Sequence, residues 1–215
     1  MCHRMNEKAN LHEVADAIGG AQVRADFSTQ RDLFPLMDIP VVRLDGDGER
    51  EIVLCNWGLL PFWWKPSAKH KSHNSFQRMT FNARGETIHE KPTFRAAFKS
   101  RRCLIPWTEF FEREEYFALT SNNISTFAGL WESWTDAETG DELQSCTIIT
   151  TAANDLVEQY HPKKRMPVIL DTEDERSRWL SPDIVERPPI EDLLRPFPSD
   201  LMRHWPASPR KDTLF

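Results

Sequence analysis

Two pairs of apolar segments, each joined by a short turn of acidic residues and glycine, most constrain what this chain can fold into. Segments rich in β-branched and aromatic residues on both sides of such a turn are typical of β-hairpins. The sequence therefore predicts two hairpins and one further short strand. The segments are residues 39–44 and 51–57 around Asp45-Gly46-Asp47-Gly48, residues 126–134 and 145–151 around Glu138-Thr139-Gly140-Asp141, and residues 117–119.

Helical patterns surround these hairpins. Apolar residues recur at helical spacing over residues 10–19, and the closing Gly19-Gly20 predicts a glycine stop. We also predict a capped helix over residues 151–160 and another over 172–180, which opens with the capping-box pattern Thr172-x-x-Glu175. A short buried strand and a further short helix complete the prediction, at residues 167–170 and 190–194.

This mixture of hairpins and scattered helices predicts an α+β fold and not a doubly wound parallel sheet. We expect a single domain over residues 1–215, because this length suffices for one well-buried core. Its core is expected to be a mixed, mostly antiparallel sheet or a barrel-like β structure with flanking helices. The proline-rich tail, from about residue 182, is expected to wrap the surface.

Composition narrows the class of protein. No apolar run approaches the roughly 20 residues that span a bilayer, and no signal-peptide layout opens the chain, so we expect a cytoplasmic protein. The four cysteines are widely spaced without a Cys-x-x-Cys pair, which fits a reducing compartment and argues against a disulfide scaffold or a zinc site. We expect no metal and no cofactor. Three cysteines in apolar surroundings are expected to be buried, Cys55, Cys103 and Cys146.

The net charge of −6 argues against nucleic acid as a partner, yet the charge is unevenly spread. Residues 63–102 carry ten basic and two acidic side chains, a local charge of +8. Aromatic residues precede or interleave with these charges. Basic groups beside aromatic rings suit a single nucleic-acid strand, whose bases stack while its phosphates are neutralised. The alternative is that the stretch is an ordinary solvated face.

Cys2 is the most reactive position that the sequence offers. Removal of Met1 would leave an α-amine and a thiol on one residue, and both are partly reactive near neutral pH. Such an aminothiol can condense with an aldehyde and close through sulfur to a thiazolidine. It can also serve as an N-terminal nucleophile of the amidohydrolase kind. The plainest alternative is an incidental cysteine at a frayed terminus.

Three other segments carry groups suited to chemistry. Asn82 and Arg84 lie on one side of their segment if it is extended, where they could hydrogen-bond a substrate and clamp a phosphate. Glu109 and Glu112 flank Phe110-Phe111, and a carboxylate there could be desolvated into a useful acid or base. The sequence pattern does not separate the two. His161 follows a predicted helix and is suited to proton transfer, although each of these groups could equally be structural.

Five motifs in order along the chain resemble the SOS response-associated peptidase (SRAP) family. The resemblance extends from residue 2 to residue 170, and Ala207-Ser208 is similar to the closing segment of the family. Some positions depart from the family pattern, including His3 and Arg113. The motifs are Met1-Cys2, Trp57-Gly58-Leu59-Leu60-Pro61-Phe62-Trp63, Phe81-Asn82-Ala83-Arg84-Gly85-Glu86-Thr87, Cys103-Leu104-Ile105-Pro106 and Lys164-Arg165-Met166-Pro167-Val168-Ile169-Leu170.

The resemblance implies capture of abasic sites in single-stranded DNA through a covalent thiazolidine crosslink, with lyase and self-processing peptidase activities as further possibilities. It implies that Cys2 is the nucleophile, that Asn82 orients it, and that His161 is an acid and base. It selects Glu112, nine residues after Cys103, for proton transfer. The implied partner is single-stranded DNA, bound by a monomer. The implied DNA-binding residues are Arg84, Trp63, Trp64, Arg4, Lys164 and Arg165.

Two other classes of protein remain open on the sequence. One is a thiol peptidase or amidohydrolase with an N-terminal nucleophile that does not act on DNA. The other is a non-catalytic single-strand binding module in which Cys2 is incidental. A Cys2→Ser variant of such a module should behave as the unaltered protein does.

Overall fold

The computed structural model describes residues 3–27, 31–121 and 123–207. It confirms the predicted α+β class: helices flank mixed β-sheets, one of which closes into a barrel. None of the described helices is long and apolar enough to cross a membrane. The helices are α1 (Leu11–Ala17), α2 (His73–Gln77), α3 (Arg95–Ser100), α4 (Asp155–Glu158) and α5 (Glu173–Leu180), with 3-10 helices at Pro188–Leu193 and Ser199–Leu201.

Fourteen strands are present in the described part of the chain. They are β1 (Met5–Glu7), β2 (Gln22–Val23), β3 (Arg31–Leu33), β4 (Asp38–Leu44), β5 (Arg50–Trp57), β6 (Asn82–Arg84), β7 (Arg102–Trp107), β8 (Glu109–Glu112), β9 (Glu115–Leu119), β10 (Ser125–Thr135), β11 (Glu142–Ala152), β12 (Arg165–Pro167), β13 (Ile169–Leu170) and β14 (Met202–Pro206).

The two predicted hairpins are confirmed, and together with β7 they form the barrel. Strand β4 pairs with β5, and β10 pairs with β11, in both cases antiparallel. Strand β7 joins β4 to β10, and a short parallel pairing of β5 with β11 closes the ring. Because side chains alternate across a strand, one set of residues fills the interior and the other faces outward.

The three cysteines predicted to be buried lie in one apolar cluster of the core. Cys55, Cys103 and Cys146 have no exposed surface, and they pack with Trp57 and Phe127. Burial raises the pKa of the Cys55 thiol to about 12 and raises the pKa values of the other two well above their usual range. A thiol acts as a nucleophile only as the thiolate, so these three cysteines are expected to be unreactive.

Helices cover the other face of the barrel strands. Val14 of α1, Phe98 of α3 and Trp179 of α5 share a second apolar cluster with the outward residues of β4, β5 and β10. Helix α5 begins with the predicted capping box, in which Thr172 accepts from the Glu175 amide and the Glu175 carboxylate accepts from the Thr172 amide. Helix α1 ends before Gly19-Gly20, as predicted.

A second sheet has the strand order β14-β9-β8-β1-β3 and is antiparallel throughout. Its inner face, formed by Met5, Leu33, Phe110 and Phe117, packs into the same cluster as the barrel cysteines. One face of the second sheet therefore packs against the barrel. Strand β14 supplies one edge.

Three sequence predictions are wrong in detail. The predicted helix over residues 151–160 is short, because β11 continues through Ala152 in its pairing with β12 and α4 begins only after its N-cap Asn154. The predicted strand over residues 167–170 is divided at Val168, which hydrogen-bonds to β10 and β11 instead of continuing either ladder. The tail contains a 3-10 helix in place of the predicted one near residues 190–194, and it adds the unpredicted β14.

Candidate active site

Glu112 and His161 meet in a buried pair between the second sheet and α4. Glu112 ends β8, and His161 follows α4, whose last turn is extended by a hydrogen bond from the His161 amide to the Val157 carbonyl. The Glu112 Oε2 atom lies 3.6 Å from His161 Nε2. The residues are 5% and 2% exposed. Two titratable side chains are thus held side by side with little water around them.

The loop after α4 fixes which nitrogen of His161 carries the proton. The Lys163 amide donates a hydrogen bond of 3.0 Å to His161 Nδ1. A nitrogen that accepts a hydrogen bond carries no proton, so the neutral ring has its proton on Nε2, the atom that faces Glu112. Burial lowers the pKa of His161 to about 4, and the charges of Lys163 and Arg165 act in the same direction. The ring is therefore neutral at physiological pH.

Glu112 differs in its surroundings from Glu109, the other glutamate that the sequence left open. Burial raises the pKa of Glu112, and the nearby His3 opposes part of that rise. Glu109 is only half-buried, forms an ion pair with Lys8 and accepts a 3.0 Å hydrogen bond from Asn6. A desolvated carboxyl with a raised pKa is the better acid or base near neutrality, so the geometry favours Glu112.

Asn82 lies in β6, which runs parallel to β11 with Asn82 opposite Ile148. Asn82 is 8% exposed. The preceding residue, Phe81, packs on the same apolar cluster as Phe110 and Tyr160, which lie next to the Glu112–His161 pair in the chain. The segments that carry Asn82, Glu112 and His161 therefore adjoin the same apolar cluster.

Cys2 lies outside the described residues, and His3 is the first residue that the structure describes. The ring of His3 meets that of Phe111 edge-on with centroids 6.5 Å apart, and the charge of His3 acts on Glu112. The Phe111 amide donates to the carbonyl of Arg4. The residues that directly follow Cys2 in the chain thus lie along the end of β8.

Arg84 and Arg165, both predicted to bind DNA, have different surroundings. Arg84 is exposed, whereas Arg165 is 9% exposed and grips Glu86 with two guanidinium nitrogens. Arg165 also donates to the carbonyl of Thr150. Its contacts fasten the turn after β6 to β11, so the structure gives Arg165 a part in positioning the segment that carries Arg84. Lys164, beside it, is exposed and pairs with Glu158.

Arg4 lies beside the aromatic residues of the second sheet. Its guanidinium carbon is 4.6 Å from the ring centroid of Phe111 and 5.2 Å from that of Tyr116. The same group forms a 2.9 Å ion pair with Asp32. Its side chain is 16% exposed, so part of it still faces solvent.

An aromatic loop, residues 58–64, holds the two predicted DNA-binding tryptophans in different settings. Trp63 is 44% exposed and its neighbour Phe62 is 57% exposed. Trp64 is buried against Phe76 and Trp134, with ring centroids 6.2 and 5.7 Å away. Trp63 can meet a partner from solvent, and Trp64 secures the loop behind it.

The sequence did not reveal what holds this loop. Gln77 is fully buried and donates 2.7 Å to the carbonyl of Gly58, and the Trp134 indole donates 2.9 Å to the carbonyl of Trp64. Gly58 has φ +146°, and a Cβ there would lie 2.8 Å from the backbone oxygen of Gln77. Only glycine fits that position. The loop is therefore fastened at both ends while Phe62 and Trp63 project between them.

Most of the basic stretch predicted between residues 63 and 102 faces solvent. Arg101 and Arg102 are the exceptions: Arg101 pairs with Glu132, and Arg102 is buried under α5. Within the described ranges, none of the other eight forms an ion pair with an acidic residue. No group of three or more potential metal ligands occurs in the described chain. The exposed basic residues are Lys65, Lys69, Lys71, Arg78, Arg84, Lys91, Arg95 and Lys99.

The sequence model of the SOS response associated peptidase (SRAP) family matches residues 1–211. The chain therefore belongs to this family, as its motifs predicted.

Named relatives and solved structures agree with that membership. The chain is 32% identical over 219 residues to the abasic site processing protein YoqW of Bacillus subtilis (strain 168), covering 97% of this chain and 92% of YoqW. It is 33% identical over 168 residues to the abasic site processing protein HMCES of Pongo abelii, covering 61% of this chain and 46% of HMCES. A crystal structure of a protein from Bacteroides thetaiotaomicron superposes with a TM-score of 0.84 at 31% identity, covering 95% of this chain and 91% of that one.

Proposed function

We propose that this protein processes abasic sites in single-stranded DNA by forming a covalent crosslink between the lesion and Cys2. Family membership and the names of the relatives support the reaction class. The single observation that carries the proposal is the buried Glu112–His161 pair, 3.6 Å apart, beside the residues that follow Cys2 in the chain. This pair offers proton transfer where the aminothiol needs it.

The proposed chemistry has two bond-forming steps. The ring-opened sugar of an abasic site presents an aldehyde, and the α-amine of Cys2 attacks its carbon to form an imine with loss of one water. The thiol then adds across the C=N bond: sulfur bonds to carbon, the proton goes to nitrogen, and a thiazolidine closes. The product has the mass of protein plus DNA less one water.

Each proposed acid or base acts at one stage. Glu112 gives a proton to the hydroxyl that leaves as water during imine formation, because burial raises its pKa and so favours its protonated form. Neutral His161 assists sugar ring opening by donating a hydrogen bond from its Nε2–H, and it accepts a proton at Nδ1 when the Lys163 amide releases that atom. Asn82 orients the amine and the sugar by hydrogen bonds. If the reaction stopped at the imine, β-elimination would cleave the strand, which is the proposed lyase activity.

The proposed DNA contacts surround this centre. Arg84 binds a phosphate next to the lesion, Trp63 stacks on a neighbouring base, and the exposed basic residues of the 63–102 stretch neutralise the flanking strand. Arg4 and Lys164 lie on the two segments that border the Glu112–His161 pair. The proposed peptidase activity removes Met1, which would free the amine of Cys2.

Intact-mass spectrometry tests the proposal. The protein is incubated with a single-stranded oligonucleotide that carries one abasic site, and with a matched oligonucleotide whose tetrahydrofuran lesion has no aldehyde. We expect a chain that starts at Cys2 and a stable adduct less one water with the first oligonucleotide only. Cys2→Ala should give no stable adduct and should be trapped only after borohydride reduction of the imine. A chain that starts at Cys2 and forms no adduct would overturn the proposal and favour the N-terminal amidohydrolase.

A further inference from the structure

The outer face of the second sheet carries a continuous row of aromatic residues. Trp205 of β14 lies opposite Tyr116 of β9, and Tyr116 lies opposite Phe111 of β8. Arg4, just before β1, continues the row through the hydrogen bond from the Phe111 amide, and its guanidinium also approaches the ring of Phe34. Residues directly opposite each other share a face of a sheet, so these five side chains point the same way.

This row is distinct from the apolar core. The alternate residues of the same strands, such as Phe110 and Phe117, are fully buried against the barrel. In contrast, Phe111, Tyr116 and Trp205 are half-buried and belong to neither apolar cluster. Packing of the core therefore does not explain why three rings occupy positions that normally carry polar residues.

Two guanidinium groups lie beside the rings of this row. Tyr116 and Trp205 stack with centroids 5.9 Å apart and planes 24° from parallel. The guanidinium carbon of Arg203 lies 5.2 Å from the Trp205 centroid, and that of Arg4 lies 5.2 Å from the Tyr116 centroid. Aromatic rings beside guanidinium groups on a sheet face are features with which proteins bind single strands, because bases stack on the rings and phosphates meet the charges.

The aromatic row begins next to the candidate active site, so a DNA strand crosslinked there could also reach the row. Phe111 immediately precedes Glu112, and Arg4 follows His3, so the row begins at the strand end that carries the candidate active site. We propose that the Phe111–Tyr116–Trp205 row is a stacking surface for the single-stranded DNA that flanks the lesion. This inference rests on the proposed function and assigns Tyr116, Trp205 and Arg203 to DNA binding.

The test compares ring removal with ring replacement. Affinity for undamaged single-stranded oligonucleotides of increasing length is measured by fluorescence anisotropy for the wild type, Tyr116→Ser/Trp205→Ser and the conservative Trp205→Tyr. We expect the double variant to bind the longer oligonucleotides at least about tenfold more weakly, because each stacked base contributes appreciably to affinity. Trp205→Tyr should bind within about twofold of wild type, since it keeps a ring. A control variant away from the row, the exposed Glu138→Gln in the turn between β10 and β11, should bind and crosslink DNA as the wild type does.

Hydroxyl-radical footprinting of the wild type provides a check that needs no variant. Bound single-stranded DNA should protect the side chains of Tyr116 and Trp205 from oxidation, as judged by peptide mass spectrometry. Unchanged affinity in the double variant, or no protection in the footprint, would overturn the inference while leaving the crosslink intact. A wild type that neither binds nor crosslinks DNA would overturn the proposed function and this inference together.

Discussion

The fold buries ionisable groups in two different ways. One example is Arg102, which lies under α5, and the other is the Glu112–His161 pair at the end of β8. Arg102 donates to three backbone carbonyls, those of Phe98, Trp179 and Ser181. Glu112 and His161 approach each other only to 3.6 Å, which is too long for a hydrogen bond.

The difference separates a charge that makes structural contacts from a pair for which we propose a chemical role. The Arg102 guanidinium joins the ends of α3 and α5 to β7, and burial lowers its pKa to about 10, so it stays charged at all physiological pH values. At the other site, burial pushes the pKa of Glu112 up and that of His161 down, so both favour the neutral form. Shifts in these directions lower the cost of holding the two groups out of water, because an uncharged group costs less to bury than an ion.

The largest effect on stability should follow the loss of the structural charge. Arg102→Met leaves three buried carbonyls without their donor, so we expect the free energy of unfolding to fall by about 3 kcal/mol. Urea denaturation measures it. Lys99→Gln, at an exposed position of α3, should cost less than about 1 kcal/mol. Equal losses for the two variants would remove the contrast between structural and surface charges.

Glu7 provides a second buried carboxyl against which to compare Glu112. Burial raises its pKa to about 7 from 4.5, so the folded protein keeps this proton longer than the unfolded chain does. Stability from this group is full below pH 4.5 and is lost as pH rises through 7. We expect Glu7→Gln to be more stable than wild type by about 2 kcal/mol at pH 8 and equal to it near pH 4.5. The exposed Glu49→Gln serves as the control, and a Glu7→Gln gain that did not vary with pH would contradict this explanation.

His161 should give a smaller pH dependence of the opposite sign. Its folded pKa of about 4 lies below the usual 6.5, so the unfolded chain takes up this proton first as pH falls. Stability from His161 is therefore full above pH 6.5 and is lost between pH 6.5 and 4. We expect wild type to lose about 1–2 kcal/mol more than His161→Gln across that interval, measured by thermal unfolding in a pH series. Parallel curves for the two proteins would show that His161 keeps its ordinary pKa.

Local patterns in the sequence sufficed for much of the fold. The hairpin turns around residues 45–48 and 138–141 and the capping box at Thr172 act within a few residues, so their sequence signals are complete in themselves. The extent of α4 and the existence of β14 were not predictable in this way. Pairing of β11 with β12 extends a strand into the expected helix, and β14 forms only because β9, far away in sequence, offers it an edge.

The candidate site likewise has some features that local sequence predicts and others that depend on long-range contacts. Residue types pointed to Asn82 and His161 and left Glu109 and Glu112 open, and the family resemblance selected Glu112. The folded chain adds the physical difference between the two glutamates, which is burial. The pairing of Arg165 with Glu86 joins residues 79 positions apart, and no local signal announces it. The anchoring of the aromatic loop by Gln77 and Trp134 likewise depends on long-range contacts.

The most direct test of the contrast is a pair of measurements on Glu112→Gln, which keeps the shape of Glu112 and removes its ionisation. The crosslinking rate on an abasic oligonucleotide is measured under single-turnover conditions, and the free energy of unfolding is measured on the same preparation. We expect the rate to fall by about 100-fold or more while the free energy of unfolding at pH 8 stays the same or rises. Glu109→Gln should leave the rate unchanged. An unchanged crosslinking rate in Glu112→Gln, with the protein folded, would contradict the chemical role of the buried pair.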